Sequence, residues 1–187
     1  MKTSIFLLLL FAFQPLVAQE VCLGAEEKKL FELINGYRKQ KKLPSIPFSA
    51  KLTQVAQTHV RDLAAHFDYE NRGDCNPHSW SANGGWTPCC YTADHKQAAC
   101  MWNKPREIAG YDSEGYEIAF FSSDGAEAME SLAGWISSPG HNPVIVNEGT
   151  WKDVGWKAIG VGIQGTYAVV WFGVLEDSSV IKPCSEN

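Results

Sequence analysis

Two histidines stand where the chain turns rather than where it runs in a regular element. His141 closes the motif SSPGH, after a Pro and a Gly, and His78 follows Pro77 in the motif PHSW. A neutral imidazole in such a place serves as a hydrogen-bond acceptor, a proton carrier or a ligand for a divalent cation. The plainer alternative is a turn histidine bonded to a backbone carbonyl. A third histidine, His59, falls on an apolar stripe with Leu52, Val55, Ala56 and Leu63 and therefore points inward, where a histidine is expected to be a hydrogen-bonded core residue rather than a ligand.

The six cysteines, Cys22, Cys75, Cys89, Cys90, Cys100 and Cys184, are the second chemically capable set. Each follows a leader-like N-terminus: one Lys, an apolar run from Ile5 to Phe13 and a small-residue site near Ala18 have the form of a secretory signal peptide over residues 1–18. An even cysteine count in an exported chain reads as three disulfides. Cys22 lies before the first helix and Cys184 after the last strand, so these two are expected to pair. The adjacent Cys89 and Cys90 are then shared between Cys75 and Cys100, because a vicinal bridge is strained. The competing reading, a metal knot over 75–100 with His78 and His95, lacks the paired CxxC spacing of a zinc site.

The elements that must hold these residues are legible from periodicity. Leu30, Leu33, Ile34 and Tyr37 recur at helical spacing within 26–40, and Pro44 closes that segment. Ser49 offers an N-cap to a second helix, which carries His59. Residues 67–113 have no sustained period and hold four cysteines, and a segment of that length is expected to be a rim or wall of a binding site. Its aromatics, Trp80, Trp86, Tyr91 and Trp102, are site residues or a satellite core clamped by the disulfides, the latter being preferred. A short strand over 116–121 precedes a helix whose predicted start is a capping box of Asp124 and Glu127 and whose core face is Ala128, Leu132, Trp135 and Ile136. Pro139 stops that helix at Ser138.

The C-terminal part alternates. Ile159, Val161 and Ile163 interleave with Gly160 and Gly162, Gly165 and Thr166 turn the chain, and Tyr167 to Phe172 is apolar on both faces. This is a hairpin whose second strand needs cover on both sides, and whose bare glycine face admits a helix or a ligand at close range. The order of elements gives an α+β fold with a mixed sheet between helical layers.

The chain carries 16 basic and 21 acidic residues, a net charge of −5 that becomes −6 if residues 1–18 and their one Lys are removed. With no basic block, nucleic acid is not an expected partner. No apolar stretch is long enough to span a bilayer. The residues from 19 to 187 suffice for one domain with its own core.

The run LFELINGYRKQKKLPSIPFSAKLTQVAQTHVRDLA, with Asn35, Arg38, Leu43, Pro44, Leu52, Ala56 and His59, resembles the opening of the CAP superfamily, which includes cysteine-rich secretory proteins, insect venom antigens and plant pathogenesis-related proteins. GWISSPGHN resembles the tryptophan and GH signature in its bacterial-looking form, and AIGVGIQGTYAVVWFG resembles the closing hairpin. The resemblance covers 26–66 and 115–174 and makes 19–187 a single CAP-like domain with 67–113 as a long cysteine-rich insertion on the cleft rim.

The resemblance implies a three-layer α/β/α sandwich with a small, mainly antiparallel central sheet and a cleft in which two histidines and acidic residues hold Zn²⁺ or another divalent cation. His141 matches the GH histidine and His78 the other. Where the family has GENI this chain has GYEI, which puts Tyr116 in the glutamate's place and Glu117 one residue later. On a strand, Glu117 then needs a bulge to reach the cleft, and Glu114 is the other candidate. The second family glutamate is matched by Ser138, so a cation is expected to bind more weakly than in a complete site. Trp80 is a further candidate for the cleft.

These residues describe an extracellular protein, or a periplasmic one in a bacterium, acting as a non-catalytic binding module for a small molecule, lipid or protein. The alternatives are a metal-dependent hydrolase or protease, and a lipid or sterol-type binder or loop-mediated protein effector. The chain has neither an HExxH helix nor a GxSxG elbow.

Overall fold

The computed structural model describes residues 21–179 and 182–184, so the leader-like stretch over 1–18 lies outside the described residues. Three strands form the central sheet: β2 (Gly115–Phe121), β3 (Ala158–Gln164) and β4 (Tyr167–Gly173), ordered β2-β4-β3 and antiparallel throughout. A two-residue strand, β1 (Cys22–Leu23), pairs in parallel with β5 (Lys182–Pro183). One helical layer holds α1 (Ala25–Gln40), α5 (Ala128–Ser137) and α6 (Asn142–Val146). The other holds α2 (Ala50–His66), with the short helices α3 (Ala98–Trp102) and α4 (Lys104–Ala109) beside it. The result is the α/β/α sandwich with a small antiparallel sheet.

Strand parity divides the core in two. On β4, Ala168, Val170 and Phe172 face the α1, α5 and α6 layer, and Tyr167, Val169 and Trp171 face α2. Both faces of this central strand are buried, as its uniformly apolar sequence requires. On β3 the α2-facing positions include Gly160 and Gly162, and the helix lies directly on them. A Cβ at 160 would sit 2.1 Å from the Leu52 carbonyl carbon, and one at 162 would sit 2.6 Å from that of Ala56. Backbone is the obstacle in both cases, so relief needs movement of the whole helix. Gly160→Ala is therefore expected to cost about 3 kcal/mol or more, at or above the upper end of ordinary overpacking, and Gly162→Ala less. Urea denaturation of the two variants checks the order.

Ser49 caps α2 through its hydroxyl, which accepts from the Leu52 N–H. The start of α5 differs from the expected capping box. Helix α5 begins only at Ala128, with no side-chain cap from its own turn, because a turn closed by Gly125 N on Ser122 O, with Gly125 at φ 106°, and a bond from Ala126 N to Gly165 O keep the chain out of helix up to the extended Glu127. The Ala128 N–H is capped from a distance by the Glu26 carboxylate of α1. Ala128, Leu132 and Trp135 are buried as expected, whereas Ile136 is 38% exposed. Within 67–113 the structure adds α3 and α4, each too short to show a period. Trp80 and Tyr91 are buried there, with Trp86 and Trp102 packed partly against them.

Three disulfides close the fold: Cys22 with Cys184, Cys75 with Cys90, and Cys89 with Cys100. The metal-knot alternative for 75–100 is excluded by this pairing, since all four of its cysteines are bonded. No helix among the described residues is long and apolar enough to cross a membrane.

Candidate functional site

The site forms along the free edge of β2. Among the described residues this strand pairs only with β4, which leaves its other edge without a strand, and the loops of the two helical layers meet over it. Trp135 of α5 covers part of that edge by donating from Nε1 to the Ala119 carbonyl at 3.1 Å. What remains is a cleft of about 480 Å³ lined by Tyr69, Asn76, Pro77, His78, Ala119, Phe120, Phe121, Gly134, Trp135, Ser138 and His141.

His141 comes from the α5 and α6 side. It precedes α6, and its carbonyl accepts from Val144 and Ile145. The first helix holds α6 in place. The buried Arg38 guanidinium donates to the Ile145 carbonyl and to Asn147 Oδ1, and the Tyr37 hydroxyl donates to Asn142 Oδ1 at 3.0 Å. Burial pulls the Arg38 guanidinium down to about 10, which still leaves it charged at neutral pH. Arg38 also donates to the Pro44 carbonyl, and Asn35 pairs with the backbone of Ile46. These first-helix residues thus act as anchors for the chain that presents His141.

His78 comes from the opposite side, on a turn that Asn76 organises: Asn76 Oδ1 accepts from His78 N and its carbonyl from Ser79 N. The turn is clamped to 89–91 by the Cys75–Cys90 bridge, by paired bonds between Trp80 and Cys89, and by the bond from Asn76 N to Tyr91 O. The Tyr91 ring meets His78 edge-on with centroids 5.3 Å apart.

Glu117 connects His78 to the core. Its carboxylate is fully buried, with one oxygen 2.5 Å from His59 Nδ1 and the other 2.8 Å from His78 Nδ1. Burial pushes this carboxyl up, but the charge of His59 and the hydrogen bonds from both rings outweigh it, and the net direction is downward. No bulge is needed to aim it. The register of β2 on β4 is unbroken, with Glu117 opposite Trp171, and that parity turns Glu117 toward α2 and His59. From an unbulged strand Glu117 thus meets His78 from beneath and does not itself line the cleft.

His59 is buried as expected, but its partners are not local. Nε2 donates to the Ser79 carbonyl at 2.9 Å, Nδ1 meets Glu117, and the ring stacks on Trp80 at 4.0 Å. It is linked to His78 through one carboxylate, which reading it as a plain core residue had missed. The available signal was its place on the stripe that faces the sheet, opposite the one acidic residue of β2.

Of the remaining candidates, Ser138 lines the cleft. Tyr116 does not: one residue from Glu117, it faces the other layer among Trp102, Trp151 and Trp156. Glu114 lies outside the cleft lining, where its charge, after burial, helps raise the Tyr116 hydroxyl, and Trp80 lines a separate cavity beside the central disulfides. Neither reaches the cleft. Tyr69, Phe120 and Phe121, together with Trp135 of the GWISSPGHN stretch, give it an aromatic wall.

His141 is held neutral. Burial, and next the charge of His78, lower it to about 4 from the usual 6.5. His78 has Nδ1 committed to Glu117, which leaves Nε2 for the cleft. The donor set is two imidazoles. Among the described residues no group of three His, Cys, Asp or Glu side chains is placed to hold a metal ion. Two imidazoles are one fewer than the three protein ligands of an open zinc site and two fewer than a closed structural one, so a cation held here would take its remaining ligands from water or a bound partner.

A search of curated proteins returns no match. Among solved structures, the chain is similar in fold to an extracellular protein containing an SCP domain from Bacillus anthracis, with 17% identity, a TM-score of 0.53, and coverage of 79% of this chain and 39% of that one. It is similar to an outer surface protein of Borrelia burgdorferi, with 21% identity, a TM-score of 0.50, and coverage of 79% and 91%. It is also similar to a cysteine-rich secretory protein of Staphylococcus aureus, with 13% identity, a TM-score of 0.51, and coverage of 85% and 40%. The chain thus spans about two fifths of the length of the Bacillus and Staphylococcus proteins and most of the Borrelia one. The model of the cysteine-rich secretory protein family, CAP, matches residues 31–168, the span that includes both cleft histidines, Glu117, β2 and β3, and the chain belongs to that family.

Proposed function

We propose that this protein is an exported binding module whose cleft takes a divalent cation, Zn²⁺ or one with similar preferences, on His78 Nε2 and His141, with water in the remaining positions. The observation that carries this reading is the bond from His78 Nδ1 to a buried carboxylate. An orienting carboxylate behind a ring nitrogen is the usual partner of a metal-binding imidazole, because it fixes the ring and leaves the opposite nitrogen available. In this reading Glu117 supports a ligand and is not itself one.

The aromatic wall of Tyr69, Phe120, Phe121 and Trp135 lies beside the two imidazoles. A bound partner with an apolar face and a polar head would use both ends of the cleft, which keeps a small molecule or lipid in view. A hydrolytic role fits less well. A water nucleophile needs a free base, and both oxygens of Glu117, the buried carboxylate nearest the cleft, are already engaged. Export is supported by the leader-like residues 1–18, by three disulfides, and by the likeness in fold to an extracellular protein of Bacillus anthracis and an outer surface protein of Borrelia burgdorferi.

Calorimetric titration with Zn²⁺ at neutral pH tests the proposal. One ion per chain is expected to bind, and His78→Ala and His141→Ala should each weaken binding by more than the roughly 10–100-fold that loss of an orienting partner costs. Binding that is unchanged in either variant would remove that histidine from the site.

A further inference from the structure

We infer that His59 is a positioning residue for the cleft: the hydrogen-bond chain Ser79 O, His59, Glu117, His78 runs in one direction only, and its buried start decides which nitrogen of His78 carries the proton and so whether the nitrogen facing the cleft has a free lone pair. This deepens the cleft reading above, but it concerns the metal-free protein and stands or falls without a bound ion.

The direction follows from counting protons. A backbone carbonyl only accepts, so the 2.9 Å contact of His59 Nε2 with Ser79 O requires a proton on Nε2. The Ser79 carbonyl is itself fixed, since Ser79 N donates to Asn76 O and Ser79 Oγ accepts from Tyr91 N. With Nε2 protonated, His59 Nδ1 and Glu117 Oε1 share one proton across 2.5 Å. It rests on Nδ1, making an ion pair, or on Oε1, making a neutral pair. In both cases Glu117 Oε2 has no proton to give and accepts from His78 Nδ1 at 2.8 Å.

The reverse arrangement puts the proton on Oε2 and donates it to His78. His59 would then have to donate from both nitrogens while Glu117 is neutral, leaving an unpaired positive charge on a side chain with no exposure. The polarity set at Ser79 therefore puts the His78 proton on Nδ1 and leaves Nε2 with a free lone pair. The stack of His59 on Trp80, at 4.0 Å and 6° between planes, keeps both of its nitrogens in line.

Two substitutions separate this device from a simple effect of charge. His59→Phe retains a ring on Trp80 but removes the donor at Oε1. Glu117 is then a buried carboxyl without its partner, becomes neutral, and donates to His78 Nδ1, so the His78 proton moves to Nε2. Glu117→Gln removes the charge but leaves His59 in place. Neutral His59 accepts from the amide N–H at Nδ1, the amide oxygen faces His78, and the proton stays on Nδ1.

The experiment is a long-range ¹H–¹⁵N correlation spectrum of the metal-free protein at mildly alkaline pH, above the ordinary value of a free imidazole, with His78 assigned by comparison with His78→Ala. Wild type and Glu117→Gln are expected to show His78 protonated at Nδ1, and folded His59→Phe to show it protonated at Nε2. Protonation at Nε2 in the wild type would overturn the inference. So would a folded His59→Phe that keeps the wild-type pattern, or a loss of that pattern in Glu117→Gln. If His59→Phe does not fold, the wild type and Glu117→Gln decide. Zinc affinity in the same variants reports separately on the cleft reading.

Discussion

Replacing Glu117 with Leu is expected to remove roughly 3–5 kcal/mol of stability, the usual result of deleting one partner from a buried ion pair. The side chain has no exposure, and its oxygens are the partners of two imidazoles from different elements, helix α2 and the turn after Pro77, one of them buried as completely. Without it, His59 Nδ1 is left in the core with nothing to bond. Glu117→Gln keeps a partner for both rings and should cost less. Removing both His59 and Glu117 in favour of apolar residues should cost less than the sum of the single losses, because neither group is then orphaned. A urea-denaturation cycle over the four proteins measures this. Additive losses would show that the pair is not coupled.

The second large effect is expected at the termini. Cys22 and Cys184 close a loop with a sequence separation of 162. On the chain-entropy model a loop of that size contributes about 4–5 kcal/mol by restricting the unfolded chain. The bridge joins the β1 and β5 segments, whose pairing is only two residues long, so little else holds the ends together. Replacing both cysteines with Ser should lower stability by roughly that amount while leaving the cleft intact, since neither cysteine approaches it. A loss below about 1 kcal/mol would mean that the unfolded chain is already constrained near its ends.

Much of the frame was legible because it rests on local periodicity. The stripes of α1 and α2 and the alternation of β3 and β4 each follow from one residue's relation to its near neighbours. The bare Gly160 and Gly162 face was readable as a place of close approach, although only the structure identifies α2 as what approaches. The site was partly legible. His78 and His141 could be singled out because each follows a Pro or Gly break, and the structure lines one cleft with both.

What was not legible depended on partners distant in sequence. The parity of Glu117 is set by pairing with β4, and β2 has large apolar residues on both faces, Tyr116, Ile118 and Phe120 on one and Phe121 on the other. Its own pattern therefore does not say which face is which. The cap of α5 comes from Glu26 of α1, 102 positions earlier, where a local motif had suggested Asp124. His59 read as core because it is core. Its second role follows only from the meeting of α2 with a strand 58 residues away.

The claim that two imidazoles define the site, with Glu117 behind one of them, is tested most directly by crystals grown with excess zinc and measured at the zinc absorption edge. One anomalous peak is expected in the cleft, about 2.0–2.1 Å from His78 Nε2 and from a ring nitrogen of His141, with Glu117 still on His78 Nδ1. A cleft without an anomalous peak at saturating zinc, or an ion bound directly to the Glu117 carboxylate, would contradict it.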